Sequence, residues 1–329
     1  MLIKITTIAL LAAMLTGCTG TLTSPAASIP QALTTSDTLL LILDLPAEPT
    51  SINTGPRSYS PSISNQRKAA QIAKDHELRV LWQWPMPSIE AYCIVIDQPS
   101  DSTAVAIEKD SRVRWVQNNQ QFYLQKGNHP KNHDYPKNQS FSQVLSNTAG
   151  SGLGIKIAVI DTGLDANHPS LIGSKISTHN FVGNQDTTPI EQHGTAVAGL
   201  IVAQPSSHSP VAGIAPDAML HSLRACWQTA NEPGICNSLS LSLALEAAIA
   251  LRPDLINLSL SGPRDRLLEA QLRALLRQGS MVVAAYDENR MLNNRFPPPK
   301  NGVIYARSEP NSNDKKSFSK SPDEMQVVR

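Results

Sequence analysis

Hydrophobic and polar positions change period along this chain, and the change divides it in two. From 38 to 46, TLLLILDLP is an apolar run stopped by proline, which predicts a strand. SNQRKAAQIAKDH follows, with Ser64 as N-cap and Ala69, Ile72, Ala73 and His76 on one helical face. RVLWQW and EAYCIVID predict two strands joined across Pro85-Met86-Pro87. SDSTAVAIEKD predicts a short helix capped by Ser100 or Asp101, and SRVRWVQNNQQF returns as a strand. The order βαββαβ is that of a ferredoxin-like α+β unit over 37–125. The stretch 126–150 is polar and turn-rich and reads as a linker.

Beyond residue 150 the pattern lengthens. Strands at 155–160, 218–225, 255–260 and 281–286 alternate with helices at 193–203, 239–251 and 263–278. That alternation predicts an α/β domain over 151–329, a parallel sheet with helices on both faces. Ligands of such sheets bind at the carboxyl ends of strands.

Composition narrows the picture further. With 41% hydrophobic residues, 17% charged residues and a formal net charge of +1, the chain is globular and offers nucleic acid no basic surface. The start stands apart. Lys4 precedes an apolar run from Ile5 to Leu15, far short of the roughly 20 residues that a spanning helix needs. Leu15-Thr16-Gly17-Cys18 resembles the lipobox of bacterial lipoproteins. The resemblance implies a signal peptide at 1–17, a lipid on Cys18 and a membrane-anchored place in the cell envelope. Residues 19–36 are rich in Ser, Thr, Pro and Ala, and with Cys18 they read as a flexible tether over 18–36. Of the four cysteines, Cys226 and Cys236 flank one short loop and are the natural disulfide pair, while Cys93 lies mid-strand as a buried thiol. No Cys-x-x-Cys or His-rich spacing points to a metal. No cofactor is expected, and these residues do not decide on calcium.

The chemistry lies in the second domain. IKIAVIDTG ends an apolar strand on Asp161, and QHGTAVAG opens a helix on His193. VAGIAPDAML (211–220) and LINLSLSGP (255–263) follow in order. These four stretches resemble the signatures of the subtilisin-like serine peptidases. The resemblance implies a peptide or protein substrate, His193 as general base and then acid, and Asp161 as the carboxylate that orients it. It also makes Ser259, Leu260 and Ser261 an edge that pairs with an extended substrate, with Ser261 narrowing a floor where the family often has glycine. His168 matches a position outside the triad and reads as structural. The first domain resembles, in topology and position, the propeptide that assists folding of these enzymes and then blocks their cleft.

One part is missing. The family's nucleophile lies in a GTSMAxP-like segment, and no such segment occurs in these residues. Ser280 in GSMVVAAY has no Thr-Ser pair and no following proline, and it fits a strand-entry turn instead. A gapless match puts Glu288 where the family's oxyanion-binding Asn stands, and a one-residue shift would put Asn289 there instead. The expectation is a C-terminally incomplete peptidase domain, inactive as it stands. Apolar strand faces at 155–160 and 281–286 would lack full cover. The alternative is a non-catalytic, lipid-anchored, peptide-binding pseudopeptidase.

Overall fold

Strand β1 (Thr38–Asp44) turns Leu39, Leu41 and Leu43 to one face and Leu40 and Ile42 to the other, and all five are buried. A strand reads as a continuous apolar run when both faces of its sheet are covered. The structure, a computed structural model, describes residues 29–34, 37–45, 63–124, 150–183, 188–205, 212–230, 232, 234–285, 295–298, 302–306 and 327–328. After β1 come α1 (Ile63–Asp75), β2 (Val80–Met86), β3 (Ala91–Asp97), α2 (Asp101–Glu108) and β4 (Val113–Asn118). They form an antiparallel sheet in the order β2-β3-β1-β4, the ferredoxin-like arrangement. On one face Leu39, Leu41, Leu43, Tyr92, Ile94 and Ile96 pack with Ala69 and Ile72 of α1 and Ile107 of α2. Ser100 caps α2, its hydroxyl accepting the Thr103 amide at 3.3 Å.

The other face does not meet water. Leu40, Ile42, Cys93 and Val95 share one core with Leu239, Leu243, Leu268 and Leu275 of the second domain. The last four belong to α4 (Ser238–Leu251) and α5 (Arg266–Arg277). Helix α4, SLSLSLALEAAIAL, is apolar almost all round, as expected of a helix enclosed on both sides.

The strand expected over 111–122 breaks instead. Asn119 is drawn into the corner between the domains. Its amide nitrogen donates to the Thr38 hydroxyl at 3.2 Å, and its Oδ1 accepts the Leu239 amide at 3.2 Å. Beyond it β5 (Gln121–Leu124) leaves the first domain and joins a different sheet.

The second domain holds β6 (Lys156–Asp161), β7 (Lys175–Asn180), α3 (Gln192–Val202), β8 (Met219–Arg224), β9 (Cys226–Trp227) and β10 (Ile235–Asn237). Helix α4, β11 (Leu255–Leu258), β12 (Leu260–Pro263), α5 and β13 (Met281–Ala285) follow, then β14 (Arg295–Phe296), β15 (Val303–Ala306) and β16 (Val327–Val328). Seven strands pair in parallel in the order β16-β15-β13-β11-β6-β8-β7. From β6 the chain goes first to the edge strand β7 and returns to β8 beside β6, and only then crosses to β11 and β13 on the other side. The crevice at the carboxyl end of β6 is therefore the topological switch point of the sheet.

Two expectations need correction. The face of β6 carrying Ile157 and Val159 is covered, by Ala198 and Val202 of α3 and by Leu220. Only farther along that face does cover thin, where Val283 and Ala285 are half-buried and Met281 is 49% exposed. The stretch 18–36 is not free throughout. Ile29 and Leu33 are buried against the second domain, because two apolar side chains four positions apart outweigh the polar residues around them.

Candidate active site

Asp161 is the last residue of β6, at the switch point, and its side chain is 1% exposed. Its Oδ1 accepts the Thr162 amide at 2.7 Å and faces His193 Nδ1 at 2.7 Å. An ionised carboxylate can only accept, so Nδ1 carries the proton and Nε2 is the imidazole's basic nitrogen. Asp161 Oδ2 is buried without a hydrogen-bond partner among the described residues. A carboxylate so enclosed favours positive charge on the ring beside it, the imidazolium that forms when the histidine takes a proton.

The histidine is set by its helix. His193 is the second residue of α3, and Gly194 behind it is packed directly onto the Asp-Thr-Gly turn. A Cβ at Gly194 would lie 2.6 Å from the carbonyl oxygens of both Thr162 and Gly163, so only glycine allows this approach. The Gly194 amide also donates to Thr162 Oγ1 at 2.9 Å.

Glu191, at the N-cap of α3, ties the same parts together from below. Its carboxylate accepts the Gly163 amide at 2.6 Å and the Gln228 amide at 2.8 Å. Arg224 donates to it at 2.8 and 3.2 Å, and also to Asn180 and Val182. This buried, two-point ion pair was not singled out in the sequence. Glu191 standing two residues before the histidine was the signal available.

The edge Ser259, Leu260 and Ser261 lies beside this site. Ser259 Oγ accepts the Asn257 amide nitrogen at 2.8 Å, while Leu260 and Ser261 begin β12. What β12 pairs with is the chain itself. β5 runs antiparallel to it, with Leu260 opposite Leu124 and Ser261 opposite Tyr123. On its other side β5 pairs with β10, and Asn237 lies opposite Gln121. The order β14-β12-β5-β10-β9 makes β5 the central strand of a sheet otherwise built by the second domain. Its Phe122 is fully buried, edge-on to Phe296 at 5.8 Å between centroids. Gly262 makes room for that ring, since a Cβ there would meet Phe122 Cδ1 at 2.1 Å. Leu124 is buried too, and its side chain and that of Thr162 converge on Gly234. Cys226 and Cys236 are bonded to each other across β9 and β10.

Ser280 does not approach the site. It precedes β13, at the opposite end of the parallel sheet from Asp161, and its buried hydroxyl donates to the Pro253 carbonyl at 2.7 Å. His168 is exposed, and its Nδ1 accepts the Ser170 amide within a turn. Cys18 and Glu288 lie outside the described residues. Among the described residues no three His, Cys, Asp or Glu side chains are grouped to hold a metal.

The profile of the Subtilase family matches residues 152–324, more than half of the chain. The chain belongs to the subtilase family. A thermophilic serine proteinase of Bacillus sp. (strain AK1) is 34% identical over 156 residues, covering 47% of this subtilase and 38% of the relative. The major intracellular serine protease of Bacillus subtilis (strain 168) is 32% identical over 188 residues, covering 54% and 58%. This subtilase therefore spans about two fifths to three fifths of the length of these curated relatives. Among solved structures, fervidolysin from Fervidobacterium pennivorans, a keratinolytic enzyme related to subtilisin, superposes with a TM-score of 0.57 at 18% identity. That match covers 85% of this chain and 44% of the other. The epidermin leader peptide processing serine protease from Staphylococcus aureus gives 0.54 at 16% identity, covering 82% and 69%. Both carry the same fold.

Proposed function

We propose that this subtilase is the substrate-binding and Asp–His portion of a serine endopeptidase of the bacterial cell envelope. In this proposal it is held to the membrane through a lipid on Cys18 and carries its own inhibitor in 37–125. The observation that carries the reading is the 2.7 Å Asp161–His193 contact beside a cleft that holds an extended peptide strand. In the reaction, His193 takes the proton of a hydroxyl nucleophile and returns it to the leaving amine, while Asp161 keeps the ring in one tautomer. Residues 1–329 contain no segment of the family's nucleophile type, so on their own they hold peptide without cutting it. A substrate would take the course of β5, with bulky apolar side chains two positions apart entering the places of Phe122 and Leu124. The residue between them would face outward, as half-buried Tyr123 does.

The inhibitor role rests on β5 being continuous with a ferredoxin-like domain whose sheet lies on α4 and α5. Self-cleavage of that domain needs the serine, so in residues 1–329 taken by themselves 37–125 stays joined to 151–329. The alternative, a binding scaffold that has given up chemistry, leaves the Asp161–His193 pair and the close fit at Gly194 without a purpose.

The test is a fluorophosphonate probe, together with peptide-amide turnover and intact mass. The proposal expects no labelling, no turnover and one unprocessed species. Labelling that disappears in Ser280→Ala would overturn it.

A further inference from the structure

The segment ahead of the first domain is not spent on linking. Ile29 forms a parallel bridge with Val182, its amide donating to the Phe181 carbonyl and its carbonyl accepting the Gly183 amide, both at 2.9 Å. Pro30 then turns the chain into a 3-10 turn over Gln31–Thr34, closed by the Leu33 amide on the Pro30 carbonyl at 2.9 Å. Leu33 is left 4% exposed, and Ile29 is fully buried. Asn237 Nδ2 donates to the Leu33 carbonyl at 2.8 Å.

The second domain thus has a peptide groove apart from the cleft. Its floor is Phe181–Gly183, continuing beyond β7, and Arg224 holds that floor in place by donating to the Val182 carbonyl at 2.9 Å. Its far wall is Asn237. The recognised features are an apolar residue with both backbone groups paired, a proline directly after it, and a second apolar residue four positions on. The single parallel bridge, made just beyond the edge strand β7, is the backbone pairing by which a peptide adds to a sheet edge. The turn after it brings Leu33 in as a second anchor.

Asn237 serves three partners at once. Its backbone faces Gln121 of β5, its Oδ1 accepts the Ser240 amide at 2.9 Å, and its Nδ2 holds Leu33. We propose that Phe181–Gly183 with Asn237 is a second peptide-binding site, whose ligand is the chain's own Ile29–Thr34, and that filling it tightens the hold of β5 in the cleft. Both chain ends of the ferredoxin-like domain then meet at Asn237 of β10, one at its backbone and the other at its side chain. Linking two contacts in one chain makes the second binding event intramolecular, so each slows the release of the other. The part concerning the cleft rests on the reading of β5 as its occupant. The groove itself does not.

Hydrogen–deuterium exchange on the full chain separates the two. In the unmutated chain the Ile29 and Leu33 amides should be protected, as should 121–124. In Ile29→Ser/Leu33→Ser, both 29–34 and 121–124 should exchange at least about tenfold faster, while 156–161 and 255–258 are unchanged. Unprotected Ile29 and Leu33 amides in the unmutated chain would overturn the groove. Protection at 121–124 that the variant does not move would overturn the coupling. Protected 29–34 beside unprotected 121–124 would support the groove and overturn the reading of β5. Should the double variant also loosen 156–161, the milder Leu33→Ala is used, and it must still speed 29–34 and 121–124 ahead of 156–161.

Discussion

Replacing Phe122 with alanine empties the fully buried place that its ring fills in the sheet of β14, β12, β5, β10 and β9, and Gly262→Ala should have the opposite fault in the same place. The ring of Phe122 is fully buried, and its edge-on contact with Phe296 is part of what it contributes. Loss of such a ring costs about 3–5 kcal/mol, of which the aromatic pair accounts for about 0.5–1.5. A methyl at Gly262 would lie 2.1 Å from Phe122 Cδ1, so the ring or the strand must move. Overpacking of this kind costs about 1–3 kcal/mol. The two faults cancel when combined, because the added methyl enters the space the ring has left. Independent sites would give about 4–8 kcal/mol for the double variant, whereas this geometry predicts about 3–5 and a coupling of about 1–3. β5 shares one core with α4 and with the inward face of the first domain, so the loss should register in global unfolding by urea. Additivity of the two single variants within about 0.5 kcal/mol would refute the placement of Phe122 against Gly262.

Two further predictions concern the anchor and the domain interface. Cys18→Ser should move the protein from the membrane fraction to the soluble fraction, and an unmodified residue 18 in a wholly soluble unmutated chain would refute the lipid. Glu246 of α4 accepts the Ser88 amide and hydroxyl from the first domain and Gln271 Nε2 from α5, and burial there raises its carboxyl above the ordinary range. With the folded value raised, the folded chain holds the proton longer, so this group's contribution is greatest at acid pH. It falls as pH climbs from the unfolded value, about 4.3, through the folded one. Denaturation of Glu246→Gln across that window should lack this decline, and a slope equal to that of the unmutated chain would contradict the assignment.

The site was legible where chemistry forces a local pattern. An aspartate ending an apolar strand and His-Gly opening a small-residue helix are short, contiguous signals, and Gly194 records in one residue how closely they pack. The helices of the first domain were legible through period, and α2 also through its Ser100 cap. Helix α1, however, begins at Ile63, so the expected cap Ser64 lies inside it. His76 lies past its end and hydrogen-bonds Asp110 at 2.8 Å instead of packing inward. What was not legible depends on partners distant in the chain. Gln121–Leu124 looks like the end of the preceding strand, because nothing local says that its neighbours lie more than 100 positions away. Ile29 and Leu33 sit in a stretch whose average composition is that of a tether, and two side chains hardly alter an average. The edge strand β7, KISTHN, is too polar to announce itself.

The proposed chemistry needs the Asp161–His193 contact, and proton NMR of the imidazole reads it directly. A 2.7 Å hydrogen bond to a buried carboxylate predicts a far-downfield Nδ1 proton, slow to exchange with water, that vanishes in Asp161→Asn and in His193→Ala. No such resonance, or one that persists in Asp161→Asn, would contradict it.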